Sequence, residues 1–296
     1  MQSASIQVKE NLMYRYSTSS NQAGFRSNSP LSNDQIARYA PSVLATEAHE
    51  SRGDKYRFIP TIEVLDGLRR EGFQPFEVRQ TRVRDQSRRE FTKHMVRLRH
   101  ISEIGTQRAE AGEIILVNSH DGTSSYQLLA GFFRMVCSNG LIAGNVCEDV
   151  RIRHSGNVMH DVIEGATRVL DHLQLADERI DAYKSIELAP QEQLLLANSA
   201  LALRWDDKAP VTAQAVLQPR RWEDRKGDLW TTFNRIQENL VRGGVSGRGS
   251  TGRRMTTREV AGVNENVKLN RALWSLADGM AQLKAGVVDV EELAIA

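Results

Sequence analysis

From Val162 to Tyr183 the apolar residues Val162, Ala166, Val169, Leu173, Ala176, Ile180 and Tyr183 recur in alternating steps of four and three. That spacing returns to one face of an α-helix and has no counterpart in the two-residue repeat of a strand, so the segment reads as one long helix with a packed seam. A stripe of this kind must be buried against other elements. The 296-residue chain has the material, being 40% hydrophobic, enough for a sizeable core. Nowhere does it offer the roughly 18 consecutive apolar residues of a spanning helix, and its start, MQSASIQVKENLMYRY, lacks the apolar centre of a signal peptide. The expectation is a cytoplasmic protein without membrane contact.

Around that helix the sequence divides into four regions. Residues 1–50, rich in Ser, Asn and Gln, read as a flexible arm. Residues 51–155 read as an α+β core. In it Thr61 caps a helix carrying Ile62, Leu65 and Leu68, and Gly72 ends that helix. Three strands follow, PFEVRQTRVR, EFTKHMVRLRH and EIILVNSH, the first two joined by the polar turn DQSRR as an antiparallel hairpin. SSYQLLAGFFRMVCSNG places Leu129, Phe132, Phe133 and Val136 at helical spacing and reads as a helix behind a sheet of three or more strands, ended by Asn139-Gly140. Residues 156–206 read as a long helical hairpin, the second helix opening at Pro190. Residues 207–296 read as C-terminal helices, GDLWTTFNRIQENL and NVKLNRALWSLADGMAQLKAG, separated by an Arg/Gly-rich loop at 241–258.

Charge is distributed in blocks, although the net charge is only +2. Phe76 to Arg108 holds nine Lys and Arg against four Asp and Glu, Gly156 to Asp206 four against nine, and Pro219 to Arg258 ten against four. Clustered basic charge is the footprint of a polyanion partner, whereas pairing of the blocks across the fold is the purely structural alternative. Strand alternation puts Lys93, Arg97 and Arg99 on one face and Val96 and Leu98 on the other, giving a sheet with a basic face to which Arg82 and Arg84 add from the first strand. In the loop, Arg242, Arg248, Arg253, Arg254 and Arg258 are interleaved with glycines. Gly247 to Gly252 spells G-x-G-x-x-G, but a helix precedes it where a dinucleotide fold needs a strand, and Arg253-Arg254 stands where a Walker loop needs Lys and Ser or Thr.

Chemistry for catalysis is sparse. Cys137 and Cys147 are the only cysteines, too few for a disulfide framework, and His154 and His160 are wrongly spaced for zinc. Ser119-His120-Asp121 are chain neighbours and cannot assemble a triad. Glu113 and Asp121 are where a metal-dependent nuclease would begin its carboxylate cluster, yet no Glu-x-Lys follows on an adjacent strand. No catalytic residue, metal or cofactor is assigned.

The segments YRFIPTIEVLDGLRREGF, SSYQLLAGFFRMVCSNGL, IEGATRVL, LWTTFNRIQENLVRGG and NVKLNRALWSLADGM resemble the phage/plasmid-like protein family known as domain of unknown function 932, over most of the chain from about residue 55 to 285. That resemblance implies a protein of plasmids, prophages and integrated elements that deals with their DNA. More distantly, the expected order of helix, three antiparallel strands with a basic face, and covering helix is similar to the core of the Red-beta and Rad-fifty-two single-strand annealing superfamily, whose members form rings or filaments around single-stranded DNA. Taken together these imply a single-stranded-nucleic-acid-binding recombination or annealing factor that self-associates, with Leu269, Leu273, Leu276 and Met280 as the seam between copies. The alternatives are a metal-dependent nuclease and a non-enzymatic anti-host or regulatory protein.

Overall fold

The computed structural model of the protein describes residues 24–286 apart from 54, 55, 57, 107, 136–138, 144–149, 153–156, 207 and 250. Cys137, Cys147 and His154 lie outside the described residues. The chain begins with β1 (Gly24–Arg26) and α1 (Asn33–Tyr39), then α2 (Thr61–Arg70), β2 (Phe73–Gln80), β3 (His94–His100), β4 (Glu110–Asn118), β5 (Tyr126–Arg134), β6 (Asn139–Ile142) and β7 (Val150–Ile152). Helices α3 (Val158–Ser185), α4 (Pro190–Trp205), α5 (Ala213–Val216) and α6 (Leu229–Arg242) come next, followed by a small hairpin of β8 (Ser246–Arg248) and β9 (Arg254–Thr256), and α7 (Val263–Lys284). The class is α+β, as the sequence implies. Among the described residues, no helix is long and apolar enough to cross a membrane.

β1 to β6 pair antiparallel in chain order, and β7 shares the outer edge of β5 with β6. Pro75 sits at a bulge in β2, where Pro75 faces Leu98 and Glu77 faces Arg97, so Phe76 is the extra residue. A bulge tolerates a proline because the ladder is already interrupted there. One face of the sheet carries Val78, Val96, Leu98, Ile114, Leu116, Leu128, Ala130 and Phe132, all nearly inaccessible, and meets α2 and α3. The expected seam of α3 is buried throughout, from Val162 to Tyr183. Each large apolar side chain so buried contributes roughly 1.5–3 kcal/mol. The opposite face packs Met95, Ile115, Val117 and Leu129 against Ile142 and against Val263 at the start of α7.

Four local expectations are corrected. SSYQLLAGFFRMVCSNG does not form a helix: Tyr126 to Arg134 is the strand β5, buried on both faces between β4 and the outer strands. A strand covered on both sides loses its alternation, and its continuous apolar run fits a helical stripe by coincidence. Within the polar arm, residues 24–44 fold onto the core. Phe25 stacks on Tyr39 with centroids 4.6 Å apart, Leu31, Ile36 and Val43 enter the core, and Ser32 and Gln35 form a capping box. Thr61 does not cap α2, because Pro60 takes that position and the Thr61 hydroxyl meets His94 and His120 instead. Lastly, α4 follows α3 across a short link but packs chiefly on α7, α5 and α6, while α3 packs on β5, α6 and α2. α7 thus spends Leu269, Leu273 and Met280 of the expected seam between copies inside the monomer, with Leu276 half-buried beside them.

Candidate nucleic-acid interface

Arg97 and Arg99 do point away from Val96 and Leu98, as alternation requires, but the face they occupy is not a surface. They are 2% and 4% exposed. Arg97 Nε lies 3.3 Å from Glu113 Oε2, and its Nη atoms donate to the Leu141 carbonyl on β6. Arg99 Nε donates to Glu113 Oε1 at 2.9 Å, while its guanidinium sits 4.3 and 4.1 Å from the ring centres of Phe76 and Phe133. Arg26 on β1 pairs with Glu77, which also binds Arg79 at 2.5 Å. A Cβ on Gly140 would lie 2.5 Å from Arg26 Nη2 and 2.8 Å from Arg97 Cζ. Glycine is what lets β6 close over this cluster.

The electrostatics follow from burial against pairing. Burial alone would raise Glu113, yet Arg97, Arg99 and Arg26 together hold it below its ordinary value. Burial pulls Arg26 down to about 9 and Arg97 to about 10 despite the Glu113 charge. The basic sheet face is therefore an internal ion-pair layer between two covers, with a structural function: desolvated guanidiniums persist there because carboxylates face them. The sequence pattern located the residues but not their cover, which comes from β6 and α7.

The remaining predicted arginines separate into two outer segments. β2 ends at Gln80, so Arg82 and Arg84 lie beyond the strand on an exposed connection that continues as the 3-10 turn Gln86–Phe91. Arg88 approaches Asp121 at 3.8 Å. Lys93 is half-buried and donates to Asn264 Oδ1 at 2.8 Å; burial lowers its ammonium while Asp121 opposes the shift. The Arg/Gly-rich segment is not a shapeless loop but the β8–β9 hairpin, with Arg248 directly opposite Arg254. It docks on the protein where Arg248 N donates to the Pro210 carbonyl at 2.8 Å. Arg248, Arg253, Arg254 and Arg258 are exposed, whereas Arg242 is tied to Glu238 at 2.8 Å. Among the described residues no carboxylate pairs with Arg82, Arg84, Arg248, Arg253 or Arg254. The chain flanking the two segments is bridged: Glu259 beyond the hairpin binds Arg79 at 3.0 Å and Asn264 binds Lys93.

The carboxylates of the nuclease alternative are not brought together. Glu113 faces the arginine layer, and β4 alone separates it from Asn118 by roughly 16 Å at ~3.3 Å per residue. Asp121 lies further on, hydrogen-bonded to Thr123 at 2.6 Å. No group of three His, Cys, Asp or Glu able to hold a metal occurs among the described residues. His160 is on the surface beside Asp161 and Glu164. His120 belongs to a buried polar network that joins Ser42, His94, Thr61, Asn118 and Tyr126. Burial, then the neighbouring His120, keeps His94 well below the usual imidazole range.

Sequence reading passed over one residue of this surface. Trp222, in a 3-10 turn at Trp222–Arg225, is 73% exposed and lies within PRRWEDRK, an aromatic among arginines. That composition was the available signal.

Comparison with known proteins agrees on a single relationship. The model of the domain of unknown function DUF932 matches residues 48–274. UPF0380 protein YafZ of Escherichia coli strain K12 is 52% identical over 256 residues, 86% of this chain and 93% of that protein. UPF0380 protein YfjQ of the same strain is 52% identical over 254 residues, covering 86% and 92%. No solved structure matches. With most of the chain matched by the family model and by both relatives, the protein belongs to the DUF932 family.

Proposed function

We propose that the protein binds single-stranded nucleic acid through the exposed arginines of the β8–β9 hairpin and of the connection after β2. One observation carries the reading: Arg248 and Arg254 form a cross-strand pair of like charge, and among the described residues no carboxylate pairs with either, the Arg248 guanidinium donating to the Gly252 carbonyl at 3.1 Å. Directly opposed like charges destabilise a two-stranded sheet, and a bound anion removes that cost. Guanidinium forks match phosphate oxygens, and the glycines around Arg248 allow close backbone approach. Arg82, Arg84, Arg253 and Arg258 extend the same surface, whereas Arg97, Arg99 and Arg242 are engaged by carboxylates within the protein and take no part. The likeness to annealing proteins loses its support, since it required an open basic sheet face and a helix where β5 stands. The reading is confined to binding.

The test is affinity for a labelled single-stranded oligonucleotide across a salt series. Each phosphate contact contributes about 0.7 to the slope of log affinity against log salt, so Arg248, Arg253 and Arg254 replaced together by Ser should flatten it by roughly 2. Chelator should leave affinity unchanged. An unaltered slope in a folded variant would refute the assignment of the hairpin.

A further inference from the structure

We infer that Trp222 is a stacking platform for one unpaired base of the strand held on the arginine hairpin, an inference that rests on the reading above. Trp222 is the most exposed large apolar side chain among the described residues, whereas Trp230 and Trp274 are core. The Arg225 guanidinium lies 4.2 Å from its ring centre. With one face under Arg225, an exposure of 73% leaves the other face open to solvent. A large aromatic side chain left in water is uncommon for a residue type that dominates core and interface energetics.

Its position is fixed from both sides. Arg221 donates to Asp224 at 2.6 Å and forks onto both oxygens of Glu238 at 2.8 and 2.7 Å. Asp224 is held in turn by Arg134 of β5 at 2.6 Å. On the other side Arg220 donates to Asn239 at 2.7 Å and to the carbonyl of Gly243, immediately before the hairpin. The turn that carries the ring is therefore anchored to α6, the sheet and the base of the hairpin. Exposed Arg225 and Lys226 lie beside it, together with the exposed carboxylate of Glu223.

A ring with one cation-backed face and one open face, among basic side chains, has the chemistry that sequence-tolerant single-strand binders use. The chosen occupant is a nucleobase rather than a protein side chain, because the cations adjoining the ring supply the phosphate contacts that accompany a base. A duplex keeps its bases stacked on one another and cannot offer this contact, so Trp222 would give the surface its preference for single strands.

Four probes of about 20 nucleotides separate the possibilities: oligo-dT, oligo-rU, a DNA strand of the same length made of abasic sites, and a duplex. Stacking energies of the usual size predict that Trp222→Ala weakens oligo-dT or oligo-rU about five- to a hundredfold, leaves the abasic strand and duplex unchanged, and is largely rescued by Trp222→Phe. A loss on dT, rU or both supports the platform and identifies its strand. If Trp222→Ala binds all probes as the parent does while the hairpin arginine variant is weakened, the stacking inference falls and the function stands. Equal weakening on the abasic strand likewise overturns stacking. If the parent protein binds no probe at low salt, both readings fall.

Discussion

Glu113 shows how a single side chain can decide the meaning of a basic cluster. Its two oxygens meet Arg97 and Arg99, and neutralising it would leave Arg97 with Glu77, at 3.9 Å, as its carboxylate partner among the described residues. Glu113→Gln should cost about 3–5 kcal/mol in urea unfolding, the usual result of stranding a buried charge. A loss below about 1 kcal/mol would mean that water reaches the layer. The same side chain predicts acid sensitivity. Because its pKa is depressed in the fold, the stability it contributes is present above the ordinary value of 4.5 and is lost as pH falls below it. His94 has the same sign in a higher window: it stays neutral in the fold, so the unfolded chain gains a proton first and stability declines as pH drops below 6.5. Thermal midpoints should therefore fall in two stages on acidification, and His94→Gln should remove the upper one. An unchanged upper stage in that variant would place its origin in another group.

The elements differ in how much of each can be read from the residues alone, and the reason is the number of faces each buries. α3 buries one seam, against β5, α6 and α2, and leaves its opposite face exposed, so its four-and-three spacing survives intact in the sequence. α7 is legible for the same reason, whereas α6 is buried on every side from Leu229 to Val241. β5 buries both faces, and Leu128 to Phe133 then carries no alternation to separate strand from helix. The arm from Gly24 to Leu44 was hidden by its polar composition, because only a few apolar residues, among them Phe25, Ile36 and Val43, tie it down. Arg97 and Arg99 were assigned to the correct face, but what covers that face comes from β6 and α7, more than 40 and 160 residues away along the chain. The Arg/Gly segment was legible as a basic connection and not as a hairpin, since β8 and β9 have three residues each. Its fixed entry depends on Gly243, whose φ is +68° and whose missing Cβ would stand 2.5 Å from the backbone of Arg258. Gly243→Ala should cost upward of about 1 kcal/mol and reduce oligonucleotide affinity by displacing the arginines, whereas Gly252→Ala, which has a similar φ but open space around it, should leave the core unaffected. Matching thermal midpoints for the two variants would remove the special status of the hairpin's entry.

Across the whole molecule, the larger of the two apolar clusters joins the sheet to the helices through one aromatic centre. Trp274 of α7 stacks on Phe132 of β5 at 6.5 Å, lies 5.8 Å from Tyr183 of α3, and meets Trp230 and Phe233 of α6 edge-on at 6.3 and 6.0 Å. Trp230 in turn donates its indole N–H to Glu110 of β4 at 2.9 Å, and Lys184 at the end of α3 reaches the same carboxylate at 3.2 Å. The acidic and basic blocks of the sequence meet in one such long-range pair, Arg108 with Asp177 at 3.0 Å, and Arg179 reaches Asp278 of α7 at the same distance. Since the same ring touches the sheet, α3 and α6, loosening it should weaken every layer together. Trp274→Ala is expected to cost about 3–5 kcal/mol, the range for emptying a large aromatic site. Trp274→Phe should cost much less, because it keeps a ring in place and removes an indole N–H that has no acceptor among the described residues. Unfolding of the parent and of both variants, followed by far-ultraviolet circular dichroism and by tryptophan fluorescence, should trace one coincident transition. Two separated transitions, with only the helical signal shifted by Trp274→Ala, would mean that the sheet stands without α7, and the arginine layer that α7 helps to cover would then open independently of the helices.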